Sequence, residues 1–136
     1  MGKIFVDTSA LFPLVGTEDA TSKISVNVWE DIAQTENELI TNNYVIVECL
    51  SLVQKRLGLE FVHNLQSEIL PLITVDWIDE EQHTWAVQYV LKSNRRNLSL
   101  VDCSAFQSMR RLGIETVFTF DGHFREEGFT VIPNGV

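Results

Sequence analysis

Short uninterrupted apolar runs alternate along the chain with stretches of helical periodicity. Ile4, Phe5 and Val6 form the first run, which suits a strand buried on both faces, as in a parallel sheet. Thr8-Ser9-Ala10-Leu11 then reads as a helix start, with the helical signal broken by Pro13 and Gly16. A second helix is expected from about Glu18, with Ile24, Val28 and Ile32 four apart and Trp29 widening the apolar face. Residues 38–41 read as a second strand. Asn42 or Asn43 caps a helix running to about Leu57, where Lys55, Arg56 and Gly58 form an ordinary stop. Residues 59–70 predict a further helix, with Val62, Leu65 and Ile69 inward and Pro71 closing it. A third strand is expected over 72–76. Asp79 and Gln82 have capping-box spacing and open a long helix that carries Trp85, Tyr89 and Val90 and ends in Lys92, Arg95 and Arg96. Ser99 and Asp102 repeat that spacing at the head of a helix ending in Arg110, Arg111 and Gly113. Residues 115–121 predict a fourth strand and 129–132 a last short one.

Strands alternating with helices predict an α/β fold with a mostly parallel sheet and helices on both faces. The chain has 136 residues, and no repeat or linker divides it, so a single domain over residues 1–136 is expected. No apolar run is long enough to span a bilayer. The N-terminus carries one Lys and enters the first strand directly, so no signal peptide is expected. Two cysteines, Cys49 and Cys103, make no disulfide framework and read as reduced, buried thiols of a cytoplasmic protein. A zinc site using both with His123 lacks a close Cys or His pair to build on.

Charge narrows the choice of partner. Nineteen acids against ten bases give a net charge of −9, which argues against nucleic-acid binding through a broad basic surface. A cation site, a basic protein partner and simple solubility all remain compatible with it.

Four acids stand out by position. Asp7 ends the first strand, where ligands bind in open α/β sheets; its plain alternative is a helix cap. Glu48 lies in the run Tyr44-Val45-Ile46-Val47-Glu48-Cys49-Leu50, which predicts a well-buried helix. No cation lies three or four residues away, so an ionised carboxylate there needs a proton, hydrogen bonds, a distant partner or a metal. Its plain alternative is a glutamate at the rim of the core. Asp102 sits in the first turn of a helix, where an acid also serves the helix alone. Asp121 ends the fourth strand signal, ahead of Gly122, and an Asp-Gly turn is its alternative. Asp76 ends the third strand and is a lesser candidate, while Asp79, Glu80 and Glu81 are assigned to helix initiation.

Taken in order, Asp7-Thr8-Ser9-Ala10-Leu11, Glu48, Leu100-Val101-Asp102-Cys103 and Thr119-Phe120-Asp121-Gly122-His123-Phe124 resemble the four acidic motifs of PIN-domain ribonucleases. Small members of that family are typically VapC-type toxins of toxin–antitoxin pairs. The resemblance implies a sheet of order 3-2-1-4-5, with Asp7 and Asp121 facing each other where the winding reverses. It implies metal-dependent hydrolysis of RNA phosphodiesters, with Asp7, Asp102 and Asp121 as ligands of Mg²⁺ or Mn²⁺. Glu48 would bind a second metal or orient the attacking water, and Ser9 and Thr119 would hydrogen-bond carboxylate or phosphate. An antitoxin protein and a homodimer are the implied partners besides RNA. A housekeeping RNA-processing role and a non-catalytic interaction domain stay open. A phosphatase of the haloacid dehalogenase kind, with Asp7 as nucleophile, would place a second Asp where this chain has Ser9.

Overall fold

The computed structural model describes residues 2–16 and 19–134. Five strands form one sheet: β1 (Lys3–Val6), β2 (Glu38–Asn42), β3 (Thr74–Asp76), β4 (Thr116–Phe118) and β5 (Thr130–Ile132). Their order is β3-β2-β1-β4-β5, and every pairing is parallel, as the resemblance implies. β1 is central because its three apolar residues are all buried. Phe5 pairs with Ile40 on one side and Val117 on the other. The chain winds one way from β1 to β3 and the other way through β4 and β5. The reversal therefore falls between β1 and β4, where a crevice opens beyond the strand ends.

The helices are α1 (Thr8–Leu11), α2 (Pro13–Gly16), α3 (Ala20–Ala33), α4 (Asn43–Leu57), α5 (Leu59–Asn64), α6 (Glu80–Ser93), α7 (Leu100–Leu112) and α8 (His123–Glu126). Phe106 of α7 is fully buried and meets Phe124 edge-on at 5.0 Å, joining α7 to α8 in the core. Gly16 lets α2 approach the end of α4, since a Cβ there would stand 2.1 Å from Leu57 Cδ1.

Several boundaries differ from the sequence expectation, each for a local reason. The start expected near Glu18 lies outside the described residues; the described helix opens at Ala20, behind Asp19, whose carboxylate accepts from Ser22 N–H. Its buried face is Ser22, Ser25, Trp29 and Ile32, while Ile24 is 40% exposed. Ser25 Oγ donates to Ala10 O at 2.7 Å, so a small polar residue takes the close approach to α1. The helix expected over 59–70 is α5 followed by a π turn (Leu65–Ile69) and a 3₁₀ turn (Leu70–Leu72). Pro71 has no N–H to donate to the ladder, so α geometry fails before it. The 3₁₀ turn in turn delays β3 to Thr74. Asn42, rather than Asn43, caps α4 by accepting from Val45 N–H at 2.9 Å. Asn43 accepts instead from Ile78 N–H at 2.6 Å.

Candidate active site

Asp7 follows β1 directly and is 4% exposed. Its backbone N–H donates to Phe118 O at 3.1 Å, which extends the β1–β4 pairing by one residue. Its Oδ2 accepts from Ser9 Oγ and Thr119 Oγ1, both at 2.8 Å, and the two hydroxyl oxygens are 2.9 Å apart. Ser9 Oγ also accepts from Phe120 N–H at 2.9 Å, and Thr119 Oγ1 accepts from Asp121 N–H at 3.0 Å. Those N–H groups belong to the residues that were expected to continue the fourth strand. Serving the hydroxyls takes them out of the sheet, so β4 ends at Phe118 and the chain turns to bring Asp121 back over Asp7. Burial drives the Asp7 carboxyl above its ordinary range; the Ser9 and Thr119 hydrogen bonds oppose this and the Asp121 charge adds to it.

Asp102 performs the helix-capping role its spacing suggests and also faces the cluster. Ser99 Oγ accepts from Asp102 N–H at 3.0 Å, and Asp102 Oδ2 accepts from Ser99 N–H at 3.3 Å. Burial pushes its carboxyl up to about 7, reinforced by the charges of Asp121 and Asp7. The Ser99 hydrogen bond and the nearby His123 pull the other way. A helix cap and a site ligand are thus compatible here, because the capping geometry aims the carboxylate out of the start of α7 toward the crevice.

Asp121 forms the local turn that was its plain alternative: Oδ1 accepts from His123 N–H at 2.9 Å. The same residue joins Asp102 and His123 in a group whose donor atoms all lie within 4.8 Å of one another. The sequence offers His123 as a ligand only in company with the two cysteines. The available signal was its place two residues after an acid that opens a helix. Its Nδ1 lies 2.9 Å from Asp121 Oδ1 and 3.5 Å from Asp102 Oδ2, yet it is buried and aligned for a hydrogen bond with neither. Cys49 and Cys103 are free and buried, and among the described residues neither joins a metal-holding group.

Glu48 differs from expectation. α4 is not buried all round: Val45, Cys49 and Val53 face inward, Val47 is 62% exposed, and Glu48 is exposed beside it. Seven successive helical residues, six of them apolar, cannot all face one core, and here the outward ones are Val47 and Glu48. Glu48 therefore escapes the desolvation cost that made it conspicuous. Its charge still acts, with that of Asp7, on the Cys49 thiol, which burial pushes up to about 12. Asp76 is engaged elsewhere. It accepts from Ser108 Oγ at 2.7 Å and pairs with Arg111, next to a buried link from Asn42 Nδ2 to Ser104 and Ser108.

Of the bases after α6, Arg95 pairs with Glu126 at 3.2 Å. A cavity of about 570 Å³ adjoins this region, lined by Trp85, Tyr89, Lys92, Arg95, Leu98 and Glu127. Trp85 and Tyr89 stack at 5.1 Å on its wall.

The clustered donors fit a divalent cation. Asp102, Asp121 and the orphaned His123 nitrogen are a donor set that a hard or borderline cation neutralises; Asp7 stands outside that close group, its charge acting on Asp102. Burial first, and neighbouring carboxylate charge second, raise the carboxyls of Asp7 and Asp102.

Known proteins resemble the chain in sequence and in fold. The chain is 28% identical over 130 residues to the 23S rRNA-specific endonuclease VapC20 of Mycobacterium tuberculosis, covering 95% of this chain and 97% of that protein. The crystal structure of that VapC20, described as a sarcin–ricin loop cleaving toxin, superposes with a TM-score of 0.82 at 26% identity over 93% of this chain and 96% of the other. The VapBC2 structure from Rickettsia felis, bound to a promoter DNA fragment, shares the fold with a TM-score of 0.70 at 12% identity, over 96% of this chain and 97% of the matched one. The PIN domain model matches residues 4–129, and the chain belongs to the PIN domain family.

Proposed function

We propose that this protein is a metal-dependent endoribonuclease and the toxin of a toxin–antitoxin pair. The observation that carries the reading is the closeness of Asp102, Asp121 and His123 beyond the β1–β4 switch point, with the Asp7 charge acting on Asp102. The likeness to VapC20 over nearly the whole of both chains supports the substrate class. Asp7, Asp102 and Asp121 hold Mg²⁺ or Mn²⁺. When bound, the cation supplies positive charge to the phosphate and a water of lowered pKa. Ser9 and Thr119 fix the Asp7 carboxylate through its Oδ2, so the crevice is organised before RNA arrives. Glu48, exposed on α4, orients the attacking water or holds a second cation. Water oxygen bonds to phosphorus and gives its proton to the carboxylate set, one P–O ester bond breaks, and the leaving ribose oxygen takes up a proton to become a hydroxyl.

RNA is held by few contacts, because a chain of charge −9 cannot neutralise many phosphates. Lys92 in the last turn of α6 and Arg95 and Arg96 just after it are available for such contacts besides stabilising the helix end, with Arg95 already paired to Glu126. An antitoxin would bring a basic or hydrogen-bonding residue to the acidic crevice. The protein works in the cytoplasm as a homodimer; its buried free thiols agree with a reducing compartment, and among the described residues no helix is long and apolar enough to cross a membrane. The test is expression in a bacterium, followed by mapping of new RNA 5′ ends, with the sarcin–ricin loop of 23S rRNA examined first. Growth arrest with a discrete new end supports the reading. Equal arrest by Asp7→Asn would overturn it.

A further inference from the structure

We infer that His123 is a nitrogen ligand of the metal site, which makes the centre a mixed carboxylate–imidazole site selective for Mn²⁺ over Mg²⁺. The inference rests on the metal-dependent reading above and concerns only which atoms hold the ion. Three observations carry it. First, His123 Nδ1 stands 2.9 Å from Asp121 Oδ1 and 3.5 Å from Asp102 Oδ2. Neighbouring donors around one octahedral ion, each roughly 2.1 Å from it, are separated by about 3.0 Å. Second, despite these short approaches, Nδ1 is aligned for a hydrogen bond with neither oxygen. Donor atoms of one coordination shell behave in this way: they crowd together while their lone pairs aim at a shared point rather than at each other. Third, backbone donors fix the two neighbouring oxygens in place beside the ring. The Asp121 oxygen nearest the ring accepts from the His123 backbone N–H, and Asp102 Oδ2 accepts from Ser99 N–H. The ring nitrogen is therefore the one buried polar atom of this group left without a directed partner.

The local chain makes this placement reproducible. The Asp121 turn sets His123 as the first residue of α8, and Phe124 beside it is fully buried against Phe106. The imidazole is thus carried on an anchored backbone, a requirement for a ligand of defined geometry. Imidazole is a poor partner for Mg²⁺, which favours oxygen donors and retained water, and a better one for Mn²⁺ and later transition ions.

The decisive measurement is pulsed electron paramagnetic resonance of the Mn²⁺-loaded full chain, without RNA. Nitrogen modulation from a directly bound imidazole is expected, changing in frequency when the protein is labelled with ¹⁵N-histidine. His123→Gln, which keeps a polar group at the position, should abolish it. Calorimetry with Mn²⁺ and Mg²⁺ separately should show Mn²⁺ affinity falling by about tenfold in His123→Gln, with Mg²⁺ affinity changed far less. Mn²⁺ bound with no nitrogen modulation would overturn the histidine ligand and leave the nuclease reading standing. Failure of the unmutated chain to bind either ion would remove both.

Discussion

Thr119 Oγ1 donates to Asp7 Oδ2 at 2.8 Å across 112 residues of sequence. The same oxygen accepts from Asp121 N–H. One hydroxyl therefore ties the acid of β1 to the acid that follows β4, and holds two like charges where they would otherwise separate.

Replacing Thr119 should separate the two. Thr119→Val removes the donor to Asp7 and the acceptor for Asp121 N–H, leaving buried polar groups unpaired. A loss of about 1–3 kcal/mol in urea unfolding is expected. RNA cleavage should fall by about 100-fold through misplaced ligands. Thr119→Ser keeps the hydroxyl and should keep most of both. A harmless Thr119→Val beside a damaging Thr119→Ser would place the role in the methyl group instead.

Acidity of the metal-free site gives a second prediction. The folded protein raises Asp102 to about 7 and moves Asp7 in the same direction, against an unfolded value of about 3.9 for aspartate. Between those limits the folded state binds more protons than the unfolded one, so stability falls as pH rises from about 4 to about 7. Urea melts in chelator at intervals from pH 5 to pH 8 should show this decline, flattened in Asp102→Asn. Metal-free stability that rises from pH 5 to pH 7 would contradict it.

Metal binding should reverse that penalty. Mn²⁺ bound to the native state alone, at about 100 times its dissociation constant, should add roughly 2.7 kcal/mol, a melting shift on the order of 10 °C for a domain of this size. Asp121→Asn should lose most of the response. Asp79 caps α6 far along the chain from the cluster and accepts from Gln82 N–H at 2.9 Å; Asp79→Asn also caps well and should respond as the unmutated protein does. Thermal melts with chelator, Mg²⁺ and Mn²⁺ on the three proteins make the comparison.

Much of this site is legible in the sequence because strand ends are. Ile4-Phe5-Val6 stops abruptly at Asp7, and the order of the strands then fixes where that end lies. Ser99 and Asp102 show their helix start by spacing alone. Where reading failed, the missing information was tertiary. α3 turns Ser22 and Ser25 inward and Ile24 outward because close packing on α1 needs small residues. α4 exposes Val47 and Glu48 because an apolar run on a helix does not state which side meets solvent. The strand expected over 115–121 stops at Phe118 because two hydroxyls, one of them 111 positions away in Ser9, take the N–H groups of the next turn. His123 is invisible without the distances that put its ring nitrogen beside two carboxylates.

The central claim is that Asp7, Asp102 and Asp121 together hold the cation that cleaves RNA, and purified protein tests it most directly. A labelled RNA bearing the sarcin–ricin loop sequence should be cut in Mn²⁺ and left whole in chelator. Asp7→Asn, Asp102→Asn and Asp121→Asn should each abolish cutting while circular dichroism stays that of the unmutated fold. Cleavage that persists in chelator, or in all three variants, would contradict the account.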